Sequence, residues 1–269
     1  MFKNVFANKT VLVTGGGGLL GQGFCEAFAH AGAQVIIADL NLDSAVLVAG
    51  RINAIQAALA IPIECDVSNT ASVKKMIREI EQRNIFIDAL VNNAASKTSN
   101  LDDFFEPFES YTLETWQQVN AVNIDGMFLV AQAVGCHMIK NKIKGSITQI
   151  SSVYGVVSPD QRIYRKSIYN GRTINTPAVY SVSKAGVIAL SKYLAAYWGE
   201  ESIRVNTLSP GGVFSGQNDD FVNAYSQRVP LNRMANPAEI YGAALFLASD
   251  AASYISGQNI VIDGGLTSW

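Results

Sequence analysis

The stretch Thr10-Val11-Leu12-Val13-Thr14-Gly15-Gly16-Gly17-Gly18-Leu19-Leu20-Gly21 decides the fold. An apolar, β-branched run of strand length passes through a glycine-rich turn into an amphipathic stretch over residues 21–31, and Gln34-Val35-Ile36-Ile37-Ala38 returns as a second strand. That is a β-α-β unit. The rhythm continues through strands at 61–65, 87–91, 146–150 and 204–208, with helices over 68–83, 113–139 and 179–198 between them. Strands apolar on both faces and joined by helices imply a parallel sheet covered on both sides. The pattern predicts a doubly wound α/β fold of about seven strands.

No Pro/Ser-rich linker, charge block or repeat interrupts this order, so residues 1–269 read as one domain. Two segments, 157–177 and 212–231, lack a clear period. Both follow the C-terminal end of a predicted strand, where α/β sheets bind ligands, and both read as functional loops or lids. Hydrophobic residues make up 49% of the chain against 16% charged, with a net charge of -2, which disfavours nucleic-acid binding. No uncharged apolar run reaches the roughly 18 residues of a membrane span. The opening Met1-Phe2-Lys3-Asn4-Val5 lacks a signal-peptide core, so the expectation is a soluble cytoplasmic protein. Cys25, Cys65 and Cys136 suit free thiols, and His30 and His137 sit in no metal-ligand spacing, so no metal is expected.

A glycine-rich turn between a strand and a helix lets the backbone approach a pyrophosphate and leaves helix N-terminal amides free to bind it. By itself it is weak evidence, since a tight strand–helix connection uses the same glycines. Asp39 strengthens the first reading, because it closes the second strand 18 residues after Gly21, where a carboxylate accepts from adenosine ribose hydroxyls and repels a 2′-phosphate. The expected cofactor is therefore NAD(H) in preference to NADP(H). Tyr180-Ser181-Val182-Ser183-Lys184 sets a phenol and an ammonium on one helix face, where the positive charge favours the phenolate as a base. A surface helix with an incidental lysine reads the same way. Ser151-Ser152 and Asn92-Asn93-Ala94-Ala95 end two strands and are open to ordinary turn chemistry as well.

Together these residues resemble the short-chain dehydrogenase/reductase family over nearly the whole chain. The resemblance adds Asp66-Val67, Asn123-Ile124-Asp125-Gly126, Arg204-Val205-Asn206 before Ser209-Pro210-Gly211, and Ser256-Gly257-Gln258 before Asp263-Gly264-Gly265. It implies a Rossmann-type fold and a catalytic tetrad of Asn123, Ser152, Tyr180 and Lys184 acting on an alcohol or carbonyl with a nicotinamide cofactor. Tyr180 would pass the proton and Ser152 would hold the substrate oxygen. Lys184 would lower the Tyr180 pKa and bind the nicotinamide ribose, and Asn123 would support a proton-carrying water. Cofactor contacts fall by resemblance on Gly15, Gly18, Leu19, Leu20, Gly21, Asp39, Leu40, Asp66, Val67, Asn93, Ala94, Ala95, Pro210, Gly211, Val213 and Ser215, beside Tyr180 and Lys184.

The chain departs from the family pattern in three places. Leu19 replaces the middle glycine of the turn, and the spacing Gly15, Gly18, Gly21 is similar to the sugar-nucleotide branch. Ser215 stands for a threonine. Ser152 and Tyr180 lie 28 residues apart, about twice the family separation, so residues 157–177 form an insertion beside the reacting atoms. Its Arg162, Arg165, Lys166 and Arg172, with Tyr164 and Tyr169, are the expected substrate contacts. They predict an anionic or phosphorylated sugar-like substrate under a lid, with a solvated loop or a subunit contact as the other reading. The turn and insertion are also similar to a bacterial subgroup linked to flagellin modification and nonulosonate sugars. Alternatives are a 3-oxoacyl reductase, a sugar-nucleotide epimerase or dehydratase, and a non-catalytic nucleotide sensor. A homo-oligomer, tetramer or dimer, is expected through Val187, Leu190, Leu194 and Trp198 on one helix and Ile255, Ile260, Ile262 and Trp269 near the C-terminus.

Overall fold

The computed structural model describes residues 4–55, 59–98 and 100–269. Residues 1–3, part of the stretch read for a signal peptide, lie outside them. In chain order the elements begin β1 (Thr10–Thr14), α1 (Leu19–His30), β2 (Gln34–Asp39), α2 (Leu42–Ile55), β3 (Ala60–Glu64), α3 (Thr70–Gln82) and β4 (Ala89–Asn92). There follow α4 (Leu101–Phe104), α5 (Leu113–Asn120), α6 (Met127–Lys140), β5 (Ser146–Ile150), the short strands β6 (Ile168–Tyr169) and β7 (Arg172–Thr173), and α7 (Ala178–Tyr197). The chain closes with β8 (Arg204–Pro210), α8 (Asp219–Ser226), α9 (Pro237–Ala248) and β9 (Asn259–Ile262).

Seven strands form one parallel sheet in the order β3-β2-β1-β4-β5-β8-β9, the Rossmann-type arrangement the sequence predicts. Alternate side chains leave opposite faces. Val11, Val13, Val35, Ile37 and Val91 meet α1, α2 and α9 on one side, while Leu12, Ile36, Leu90, Ile147 and Val205 meet α3, α6 and α7 on the other. Each fully buried side chain of this size contributes about 1.5–3 kcal/mol. The order of strand addition reverses between the parallel strands β1 and β4, and their C-terminal ends open the crevice where such sheets take ligands.

Helix starts divide into two kinds. Asn69, Thr112, Asn218 and Asn236 cap α3, α5, α8 and α9 with side-chain oxygens, and Asn236 forms a reciprocal capping box with Glu239. By contrast α1 and α7 begin at Gly18 and Pro177 without a side-chain cap. Both of these helices start at the crevice. The helix predicted over 113–139 is one helical run interrupted by a π turn at Ala121–Gly126. The run is long and apolar enough to span a membrane, but Val119, Val130, Val134 and Met138 are buried in the protein core. The apolar-period reading leaves α2, α8 and α9 unassigned, and α8 lies inside the segment read as unpatterned.

Burial corrects the expected contact face. Val187, Leu194 and Trp198 of α7 lie in the core of the chain itself, so they offer nothing to a second copy. The exposed apolar groups on that helix are instead Val182, Tyr193 and Tyr197. Near the C-terminus, β9 is half-buried at the sheet edge and Trp269 is 80% exposed.

Candidate active site

Thr14 ties the two strands at the switch point. Its hydroxyl donates to Asn92 Oδ1 at 3.0 Å and accepts from the Asn93 and Ala94 amides at 2.9 and 3.1 Å. Gly15 has φ +61°, and a Cβ at Gly21 would lie 1.9 Å from the Gly15 carbonyl oxygen, so the turn closes only with glycine there. Gly18 then starts α1 with bare amides. Asp39 Oδ2 accepts from the Gly17 amide at 2.8 Å and Oδ1 from the Asn41 amide at 3.0 Å, fixing the carboxylate beside the turn. Leu19 and Leu40 stand out at 54% and 69% exposure, whereas Leu20 is half-buried against the core.

At the neighbouring strand ends, Asp66 accepts from the Ser68 amide and hydroxyl, and the Val67 side chain is buried. A Cβ on Gly126 would meet Val67 at 2.8 Å. Asn93 donates to the Thr14 and Gly15 carbonyls, and Ala95 is exposed. Beyond β8, Gly211 donates to the Ile262 carbonyl, Val213 bridges to Ala235, and the Ser215 hydroxyl accepts from Gln217 Nε2 at 3.0 Å. Pro210 is buried at the end of β8. A carboxylate aimed past a glycine turn, uncapped amides and two exposed leucines fit a nicotinamide dinucleotide lying along this edge.

The four candidate catalytic residues come from three elements. Asn123 is fully buried inside the π turn, where Oδ1 accepts from the Ser96 amide at 2.8 Å and Nδ2 donates to the Ser96 carbonyl at 3.2 Å. That clamp holds the turn against the loop after β4, and π turns of this kind mark functional positions. Ser152 caps a short turn through the Tyr154 amide. A Cβ at Gly155 would come within 2.7 Å of the Lys184 backbone, so glycine lets this turn press against α7. Tyr180 sits over Phe104, Val119 and Val179.

Lys184 is buried, donates to the Ile150 carbonyl at 3.0 Å, and stands 5.9 Å from the Tyr180 ring centroid. Burial pulls its ammonium down to about 8. Tyr180 shifts the other way, since burial raises its pKa and the Ser152 hydrogen bond offsets part of that rise. The ammonium thus stands beside the Tyr180 ring, while burial is the largest influence on the phenol.

Ser152 and Tyr180 line a cavity of about 530 Å³. Part of the segment 157–177, from Tyr164 to Thr176, supplies lining residues, but its cations face elsewhere. Arg162 clamps Asp160 with 2.8 Å contacts, Lys166 pairs with Asp220 at 2.9 Å, and Arg172 pairs with Glu106. Arg165 is exposed and makes no ion pair among the described residues. None of these four lines the cavity, because each finds a nearby acid or water more cheaply than a desolvated pocket. The tyrosines do line it: Tyr164 is buried, and Tyr169 packs 6.0 Å from Phe105.

Residues not anticipated from the sequence complete the wall. Asn175, Thr176, Gln217 and Asn218 supply neutral hydrogen-bonding groups, Phe104, Phe105 and Phe221 supply aromatic surface, and Lys97 is the one charged liner among the described residues. The signal for this part of the wall was present in Ile168-Tyr169-Asn170-Gly171-Arg172-Thr173. Asn170 and Gly171, at φ +47° and +77°, turn β6 back onto β7, and an Asn-Gly pair between short apolar or β-branched residues marks such a hairpin.

The family model described as enoyl-(acyl carrier protein) reductase matches residues 18–267. D-threitol dehydrogenase from Mycolicibacterium smegmatis is 35% identical over 96% of this chain and 93% of that protein. Galactitol 2-dehydrogenase (L-tagatose-forming) from Cereibacter sphaeroides is 34% identical over 96% and 94%. Among solved structures, a short chain dehydrogenase from Leptospira borgpetersenii with bound NAD+ superposes with a TM-score of 0.84 at 35% identity, covering 97% of this chain and 94% of that one. The chain belongs to the short-chain dehydrogenase/reductase family, NAD(P)-dependent oxidoreductases that interconvert an alcohol and a carbonyl by hydride transfer.

Proposed function

We propose that this enzyme oxidises a secondary hydroxyl of a small, neutral, polyhydroxylated molecule and reduces the matching ketone, with NAD(H) preferred. The carrying observation is the cavity at Ser152 and Tyr180, whose polar wall is made of amides and hydroxyls, with Lys97 as its one charged liner among the described residues, and whose insertion keeps its cations outside. Amide and hydroxyl groups pair with sugar hydroxyls, while aromatic faces cover C–H surface. The two dehydrogenases reported above act by name on polyols, which supports the same class.

In this reading Ser152 holds the substrate oxygen by hydrogen bond and Tyr180 takes its proton during oxidation or returns it during reduction. When bound, the nicotinamide cofactor supplies the hydride acceptor or donor. Lys184 binds near the cofactor ribose and Asn123 holds the path by which protons leave. Asp39 sets the preference for NAD(H), since no arginine or lysine in Ala38-Asp39-Leu40-Asn41-Leu42 could neutralise a 2′-phosphate.

Residues 157–177 act as a lid. They are tied on one side to Asp102, Glu106 and the Phe105 carbonyl, and on the other to Asp220, Asn218 and Arg228. Exposed ion pairs of this kind contribute only about 0–1 kcal/mol each, so the lid is held mainly by the burial of Ile163 and Tyr164 against Val153 and Tyr225. Association into a dimer or tetramer would use the exposed α7 tyrosines and the β9 edge. The nonulosonate-linked reading keeps only the Gly16–Gly21 turn and the long insertion as support. Apolar liners such as Ile168 and Ile174 favour a second reading, reduction of a 3-oxoacyl group. A screen of polyols, sugar phosphates and 3-oxoacyl thioesters with both cofactors decides: best kcat/KM on a neutral polyol supports the proposal, and best turnover on a 3-oxoacyl or phosphorylated substrate overturns it.

A further inference from the structure

The mechanism above uses Ser152 and Tyr180 but leaves a second group of hydroxyls in the same cavity without a task. Tyr164 and Thr176 line it beside them, and their oxygens are 2.6 Å apart. Tyr164 is held rigidly. It is buried, its ring packs 5.3 Å from Phe221, and Val153 and Tyr225 belong to the same apolar cluster. Its phenol is near enough to Tyr180 to add to the upward push on that residue's pKa. The neighbouring Tyr154 hydroxyl is buried with no hydrogen-bond partner among the described residues.

A phenol and a threonine hydroxyl bonded to each other use one proton between them. The pair therefore retains one O–H to donate and lone pairs to accept with. That combination complements a group that also donates and accepts, namely another hydroxyl. A carboxylate could use only the donor, and an alkyl group would leave both functions buried and unpaired. Sites built this way reject analogues lacking the hydroxyl far more strongly than an apolar pocket rejects an added group.

We propose that the Tyr164–Thr176 pair is a specificity subsite for the hydroxyl on the carbon next to the reacting one, so that the substrate class is a vicinal diol and, in reverse, an α-hydroxy ketone. The inference rests on the oxidoreductase reading of Ser152 and Tyr180. It assigns the recognition to the insertion, which the shared tetrad does not contain.

The test compares purified wild type, Tyr164→Phe and Thr176→Val with NAD+ on vicinal substrates (threitol, erythritol and the 2,3-butanediol stereoisomers) and on 2-butanol. Wild type should favour a vicinal substrate over 2-butanol by at least about tenfold in kcat/KM. Tyr164→Phe should lose about 10- to 100-fold on the vicinal substrates, while 2-butanol turnover moves by no more than about twofold and NADH affinity holds, so that the ratio collapses. Thr176→Val should lie between. Melting temperatures within a few degrees of wild type exclude misfolding, because Phe keeps the ring that packs on Phe221. An equal loss on both substrate classes, or no loss on the diols, overturns the subsite. Wild type that turns over no alcohol, and no matching ketone, with either cofactor overturns the oxidoreductase reading and the subsite with it.

Discussion

Replacing Lys184 with Met should make the protein more stable while abolishing its turnover. The ammonium is buried, it donates to one protein acceptor, the Ile150 carbonyl at 3.0 Å, and its pKa falls from 10.5 to about 8. At ~1.4 kcal/mol per pH unit, that gap makes holding the charge in the fold cost about 3 kcal/mol. Loss of the hydrogen bond to Ile150 returns about 1 kcal/mol of this, so Lys184→Met should gain about 2 kcal/mol at pH 7. The sign depends on pH. Below about 8 the folded and unfolded chains are both charged and the full cost is present. Between 8 and 10.5 the folded amine is neutral while the unfolded one still binds a proton, so the cost shrinks, and above 10.5 it is gone. Urea unfolding of both proteins at one concentration, from pH 7 to 10.5, measures this directly. A melting-temperature gain of several degrees at pH 7 is expected. A variant less stable than wild type at pH 7, or a gain independent of pH, would refute the reasoning.

The raised Tyr180 pKa means the phenol is protonated at neutral pH, so kcat/KM for alcohol oxidation should climb with pH from 6 to 9 while carbonyl reduction does not; a flat oxidation profile counts against Tyr180 as the base. Asp39→Ser should narrow the NAD(H)-over-NADP(H) preference by about 10-fold, since one to two kcal/mol of repulsion is removed; comparable use of both cofactors by wild type removes the role given to Asp39. Neutralising Arg162, Arg165, Lys166 or Arg172 singly should leave KM for a neutral polyol within about twofold, because these groups are exposed or paired with acids outside the cavity; a salt-dependent rise of tenfold would restore the anionic-substrate reading.

The sheet and the reacting ends of the crevice were legible because their signals are local. Thr10 to Gly21 carries its strand, turn and helix start within twelve positions, and Tyr180 with Lys184 needs only one turn of helix. The substrate wall was less legible, since charge composition says what a loop contains and not which way it points. Arg172 reaches Glu106 and Lys166 reaches Asp220, across 66 and 54 residues, and no period in the sequence announces either pairing. The same limit hid the role of α7. Val187, Leu194 and Trp198 read equally as core or interface, and only their burial, for Leu194 and Trp198 in the cluster with α6 and β8, decides for core. The one-turn spacing of Tyr180 and Lys184 was legible, whereas the Ile150 carbonyl that the ammonium also meets lies on β5, 34 residues away.

The central claim is that Tyr180 carries the proton in an alcohol–carbonyl oxidoreduction on a polyhydroxylated substrate. It is tested most directly by comparing wild type and Tyr180→Phe on the best polyol found, following NADH formation and, separately, NADH binding by fluorescence. A fall in kcat of at least about a hundredfold with an unchanged Kd for NADH is the predicted result. Turnover within a fewfold of wild type would contradict it.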